Sequence, residues 1–295
     1  MMNQFLFQIY RILVPKPVRT RILKKNLRKK ILEYYFSLPR NEVNEEQREV
    51  LKYLENNPLT IFPYPFSDNY SPDKIEVHHD TSSGMHFVIQ DGRKLFFRRN
   101  WGKKRIRRAF ADLSREQDHD SPHRYLSDDF TLGENDILAD IGAAEGNFSL
   151  SLIEKVKKIY LVEYDREWIN ALKHTFEPWK EKVVIIEKYV SRRDDEKHIS
   201  LNTLLKNYPD ITFLKIDVDG SEKQLLDGAS LVLSSGVSLK IALCTYHRND
   251  DEKDFTYILR EKGFIVKPSG GYMIHFYDKK MKAPYLRRGL IRAVR

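Results

Sequence analysis

The chain is 295 residues long, carries 51 Lys and Arg against 42 Asp and Glu, and contains one cysteine. Such a length predicts one core of about 150–170 residues with a smaller attached region. The lone Cys244 excludes an internal disulfide and a cysteine-rich metal site, and it fits a reducing, cytoplasmic setting.

The excess charge sits at one end. Residues 1–32 hold nine Lys and Arg and no acid, which leaves 42 basic and 42 acidic residues in the rest of the chain. The opening apolar stretch is broken by Arg11, Pro15 and Pro17, so neither a signal peptide nor a membrane-spanning helix is expected. From Val18 to Leu32, Ile22, Leu23, Leu27 and Ile31 recur at helical spacing among seven basic residues, which predicts a basic amphipathic helix. Two roles fit it. It can pack on the body, or it can hold the protein on an anionic membrane surface, with Phe5, Phe7, Ile9 and Tyr10 inserting and each basic residue contributing on the order of 1 kcal/mol. The polar stretch 41–49 reads as a pivot before a short helix at Val50–Leu54. Residues 1–60 are therefore expected to form a basic helical arm.

Residues 61–130 read as a small α+β substrate or lid region. Asp91-Gly92 between two apolar runs signals a hairpin. A second basic cluster, from Arg93 to Arg108, is interleaved with Phe96, Phe97 and Trp101 and suits a lid over a phosphorylated or acidic acceptor. His78, His79, His119 and His123 are candidates to line an acceptor site.

Residues 131–295 alternate strands and helices and read as a cofactor-binding domain. Ile137–Ile141 is a strand, Gly142 to Gly146 a turn, and a helix starts near Asn147, with a second strand ending in Glu163. Ala144 stands where a dinucleotide fold needs its middle glycine, which disfavours NAD. Glu163, 21 positions after Gly142, is placed for ribose hydroxyls, and Asp140 for an ammonium group. An adenosine without a pyrophosphate fits, and S-adenosylmethionine is the natural candidate. A fourth strand, Thr212–Asp217, leads into Asp217, Asp219 and Glu222; a fifth spans Leu239–Cys244; the stretch FIVKPSGGYMIHFY is expected to close the sheet as a hairpin. The fold class is thus α/β, a Rossmann-like seven-stranded methyltransferase sheet with its last strand antiparallel. No Pro-Pro-aromatic motif of nucleobase amino methyltransferases follows the fourth strand, which favours an oxygen acceptor.

The motifs D-I-G-A-A-E-G-N-F-S, V-E-Y-D and F-L-K-I-D-V-D-G-S-E resemble the FkbM family of S-adenosylmethionine-dependent O-methyltransferases over roughly Asp136–Tyr277. Lys215, Ile216, Asp217, Val218, Gly220 and Glu222 match its strand-four motif, with Asp219 in place of Glu. Thr245-Tyr246-His247 keeps the family's histidine without its acid. The resemblance implies methyl transfer to a hydroxyl, expected here on a glycan or glycan precursor. Expected cofactor contacts are Asp140, Gly142, Ala143, Gly146, Asn147, Glu163, Tyr164, Val190, Ser191 and Asp217. His247 is the expected base, titrating near 6.5, with Asp217 beside it; Asp217, Asp219 and Glu222 are expected to hold Mg²⁺ if a metal is used. Alternatives are an RNA methyltransferase and a non-catalytic membrane-surface protein, although no nucleic-acid-binding signature is present.

Overall fold

The computed structural model describes residues 15–229, 233, 236, 238–278 and 280–295. The aromatic residues expected to enter a membrane therefore lie outside the described residues. The basic helix α1 runs Lys16–Phe36, four residues beyond its expected end. Its far half is packed, since Ile31 and Tyr35 are buried against Val50, Leu51 and Leu54 of α2, Glu45–Asn56. The segment expected to pivot instead starts α2, through a reciprocal cap in which Asn44 and Gln47 each accept the other's backbone N–H. Arg28 donates to the carbonyls of Leu54 and Glu55, where the helix end favours a cation. This core continues into Phe62, Tyr64, Met273, Ile274 and Leu286, so the arm shares its interior with the far end of the chain.

The middle region forms a three-stranded antiparallel sheet: β1 His78–Asp80, β2 Met85–Gln90 and β3 Arg93–Phe96. The Asp91-Gly92 hairpin is present, with φ of 48° and 77°. Helix α3, Lys103–Glu116, follows; it buries Ile106 and Ala111 and leaves most of its basic residues outside.

The main sheet contains β4 Ile137–Ile141, β5 Lys158–Val162, β6 Val183–Ile186, β9 Phe213–Ile216, β10 Lys240–Cys244, β11 Ile265–Pro268 and β12 Leu290–Val294, in the order β11-β12-β10-β9-β4-β5-β6. All pairings are parallel except those of β12, which is antiparallel to both β10 and β11. This is the seven-stranded class I methyltransferase order. Helices α4 Asn147–Leu152, α5 Arg166–Phe176, α6 Leu201–Asn207, α7 Glu222–Asp227 and α8 Asp251–Glu261 connect the strands. The short strands β7 Tyr189–Val190 and β8 His198–Ile199 pair beside them.

The closing hairpin is a correction. Pro268, Gly270 and Gly271 end β11, and the antiparallel partner comes from the C-terminus, where Leu290, Ile291 and Ala293 are buried. Residues 269–289 instead form a long connection beside the ends of β9 and β10, which brings His275 to within 5.0 Å of the Tyr246 ring.

Candidate active site

Strand order reverses between β4 and β9, and open α/β sheets bind ligands over the strand ends at such a point. Gly142 and Asp217 follow these two strands. A Cβ on Gly142 would lie 2.1 Å from the Asp217 carbonyl oxygen, and its φ is +74°, so the two turns come together only because residue 142 has no side chain. Beside them opens a cleft of about 400 Å³.

Of the expected cofactor residues, Gly142, Ala143, Asn147, Glu163, Tyr164, Val190 and Asp217 line this cleft. Three do not. Asp140 is buried; its carboxylate accepts from Ser149 Oγ at 2.7 Å and pairs with Lys215 Nζ at 2.9 Å, so it is not offered to a ligand ammonium. Lys215 also donates to the Gly142 carbonyl at 2.7 Å, which ties the glycine turn to β9. Gly146 is an αL residue at the start of α4, where a Cβ would meet Leu172 at 2.7 Å and Phe176 at 2.8 Å; its smallness serves packing against α5. Ser191 is buried and bonded to the Arg193 backbone.

Glu163 ends β5 with its carboxylate clamped. Oε1 accepts from the Tyr164 and Asp165 amides and Oε2 from Ala144 N–H, at 2.8–2.9 Å. A side chain so fixed, beside the apolar Val162 and Val190 and the ring of Tyr189, fits a ribose and its base. We expect Glu163→Ala to weaken S-adenosylmethionine binding by about 2 kcal/mol, since bonds to a charged acceptor are lost. Isothermal titration reads this directly, and an unchanged dissociation constant in the folded variant would remove Glu163 from the site.

Asp217 is the hub of the reacting edge. Tyr125 donates to Oδ2 at 3.1 Å and Tyr246 to Oδ1 at 3.3 Å, while His123 Nε2 lies 3.6 Å and His247 Nε2 3.8 Å from its oxygens. Burial opposes ionisation of Asp217, but His123, Lys215 and His247 outweigh it and hold the carboxyl well below the usual carboxylate range. Of the four early histidines, only His123 reaches this edge. His78 stacks on Phe87, His79 contacts His86, and His119 pairs with Asp120 in solvent.

His247 is largely buried behind Asp217 and does not line the cleft. Its Nδ1 is 3.1 Å from Glu222 Oε1. Burial works against its charged form, yet Glu222, Asp217 and Asp219 raise its pKa above 6.5. These carboxylates favour the imidazolium, against the neutral base expected from the sequence.

The expected metal set changes as well. Asp219 is fully exposed, and one ligand atom each of Asp217, Glu222 and His247 lies within 4.8 Å of the others. Glu222 Oε2 has no hydrogen-bond partner among the described residues, and a cation would satisfy it. Two carboxylates and an imidazole suit a divalent ion in general rather than Mg²⁺ in particular. A second group, His123, Asp217 and Cys244, is a poor site because burial pushes the Cys244 thiol up and keeps it protonated.

Several cleft residues had no sequence signal. Glu116, Tyr125, Trp168 and Lys188 come from segments whose spacing carries no motif. Arg98 is the one member of the second basic cluster to line the cleft; it lies over the Trp168 ring at 4.5 Å and pairs with Asp165 at 3.1 Å. The carboxyls of Glu116 and Glu145 are pushed up to about 7 and about 8, chiefly by burial.

The fold and site together define a class I methyltransferase architecture. Residues 177–266 match the family model of the methyltransferase FkbM domain, a span that includes the F-L-K-I-D-V-D-G-S-E motif. The chain is also similar to the ribosomal RNA small subunit methyltransferase A of Fusobacterium nucleatum, 30% identical over 112 residues, covering 37% of this chain and 42% of that protein. A probable enzyme of the same name from Methanococcoides burtonii is 34% identical over 84 residues, covering 28% and 30%. The chain thus spans less than half the length of these curated relatives. Among solved structures, the methyltransferase FkbM of Methylobacillus flagellatus aligns with a TM-score of 0.44 and 20% identity, over 56% of this chain and 44% of that one.

Proposed function

We propose that this protein is an S-adenosylmethionine-dependent O-methyltransferase acting on a hydroxyl of a glycan or glycan precursor. The observation that carries the reading is the convergence of Gly142, clamped Glu163 and Asp217 on one cleft at the switch point of the sheet. Glu163 would hold the ribose, Val162 and Val190 the base, and the turn at Gly142–Ala143 the amino-acid end. The sulfonium supplies an already activated methyl group, so the protein's task is to align the acceptor and exclude water, which can supply about 7–11 kcal/mol. Tyr125, Tyr246 and His123 fix Asp217 at the edge where the acceptor must arrive.

A second reading is methyl transfer to RNA, favoured by the names of the two curated relatives and by the net charge of +9. Against it stands the end of β9, where Val218-Asp219-Gly220 replaces the proline-containing motif. Labelled S-adenosylmethionine incubated with fractionated cell extract decides between them. Label in the glycan fraction supports the proposal; label confined to RNA replaces it. Absence of cofactor binding would leave the non-catalytic alternative.

The arm belongs to the same proposal, as an attachment to the cytoplasmic face of an anionic membrane near lipid-linked glycan. No helix among the described residues is long and apolar enough to cross a membrane. Val18, Ile22 and Leu23 are exposed on the first half of α1 beside its basic residues. We expect the full chain, but not one starting at Glu42, to sediment with anionic vesicles, and added salt to release it, because attraction is screened beyond about 8 Å at physiological ionic strength. Equal sedimentation of the two proteins would leave α1 as a packed helix only.

A further inference from the structure

A second cavity, of about 480 Å³, is walled largely by residues between Tyr53 and Asp68, with Lys24 of α1, the end of α3, and Phe276 and Tyr277 closing it. Its walls include Lys24, Phe62, Asp112, Phe276 and Tyr277, and Glu116 is the one residue lining both it and the cofactor cleft. We propose that this cavity is the acceptor site, that it takes a neutral, polyhydroxylated ring such as a sugar, and that the Glu116 carboxylate is the base that receives the acceptor's proton. The proposal rests on the methyltransferase reading and names the acceptor class and base for it.

Position supports it first. The Phe62 ring is 6.4 Å from that of His123, which is 3.6 Å from Asp217, so the cavity wall stands one side chain from the reacting edge. Glu116, which lines both spaces, is placed where a ligand in this cavity and a cofactor in the cleft would approach each other. Among the described residues no hydrogen bond or ion pair engages the Glu116 carboxylate, unlike those of Glu163, Asp217 and Asp140.

The lining then selects the ligand. Phe276 lies under the Lys24 ammonium at 4.4 Å, and Tyr277 is two-thirds exposed at the rim, giving aromatic faces for the apolar side of a ring. Asp68, Asp112 and Glu116 offer acceptors for hydroxyl protons. They outnumber the cations, and Arg115 is already engaged by Asp112 and by the Ser67 and Tyr70 carbonyls. A phosphorylated or acidic acceptor, suggested by the basic cluster of the sequence, would meet three carboxylates here.

The chemistry balances without a further reactant. The acceptor oxygen bonds to the methyl carbon, the breaking carbon–sulfur bond leaves its electron pair on sulfur, and the hydroxyl proton passes to Glu116 and then to water. A carboxyl poised near 7 is suited to this, since a base works best with a pKa near the working pH.

The test uses the full chain and a panel of neutral p-nitrophenyl glycosides, with p-nitrophenyl glucuronide as the acidic comparison. Binding of S-adenosylhomocysteine is measured first by titration. Saturation-transfer NMR on the loaded protein should then show a neutral glycoside binding more strongly than the glucuronide. Tyr277→Ala, which touches only the second cavity, should weaken glycoside binding at least tenfold and leave S-adenosylhomocysteine affinity unchanged. Glu116→Gln should lower kcat for methyl transfer to that glycoside about 10²- to 10⁴-fold with KM within a few fold. If S-adenosylhomocysteine does not bind, the methyltransferase reading falls and this site with it. If it binds but no neutral glycoside does, or Tyr277→Ala changes nothing, the acceptor site alone is overturned; full kcat in Glu116→Gln overturns the base.

Discussion

Gly142→Ala is expected to lose S-adenosylmethionine binding by at least a hundredfold, while Gly146→Ala keeps most of its affinity and loses stability instead. At position 142 the added carbon meets a backbone carbonyl at 2.1 Å, and no rotamer change can relieve it. The φ of +74° adds about 1–2 kcal/mol of strain for an L-residue. The β4 and β9 turns must therefore separate, and the move is felt at the Lys215 contact with the Gly142 carbonyl and at Asp217. At position 146 the obstacles are the tips of Leu172 and Phe176, and overpacking of this kind costs about 1–3 kcal/mol in the core. Thermal melts with titration of each variant separate the two roles. Intact binding in Gly142→Ala would mean that the close turn does not form the cofactor site.

That contrast shows what spacing carries and what it does not. Alternating strands and helices, the acid at 163 and the switch-point acids were legible because backbone periodicity and ligand geometry both constrain them locally. Two glycines four residues apart look alike in sequence, yet one admits a neighbouring strand and the other a neighbouring helix. Asp140 sits at the tip of its strand as expected, but Lys215, 75 positions on, takes its carboxylate, and such pairing is invisible without the β4–β9 register. The last strand was missed because its partner lies beyond a 21-residue connection rather than across a tight turn. Glu116 had no signal at all. It is the last residue of a basic helix whose composition pointed to solvent, and only the tertiary placement of α3 brings its end to the cleft.

Asp217→Asn is expected to lower turnover by two orders of magnitude or more with the fold retained, and its metal and pH behaviour separates two causes. Asparagine keeps the shape, but its single carbonyl oxygen replaces only one of the two acceptors that serve Tyr125 and Tyr246, and it removes the negative charge facing His123, Lys215 and His247. Because the Asp217 pKa is depressed, its stabilising contribution is present above the unfolded carboxyl pKa and is lost only as pH falls through the lower folded value. Asp217 is therefore fully charged at neutral pH and too weak a base to take the acceptor's proton. His247 runs the other way. Its raised pKa means a contribution fully present below about 6.5, the unfolded value, and lost as pH rises through the higher folded value. If Asp217 acts through charge alone, turnover of the wild type survives EDTA, and the stability advantage of wild type over His247→Gln shrinks as pH is raised above 6.5. Asp217→Asn should then lower the pH at which that advantage fades, because one of the carboxylates holding the imidazolium is gone. If Asp217, Glu222 and His247 instead hold a divalent ion, EDTA abolishes turnover, Mn²⁺ or Mg²⁺ restores it, and metal-dependent stabilisation grows with pH because the imidazole must be neutral to bind. Full activity of Asp217→Asn in EDTA would remove this carboxylate from the reaction under either account.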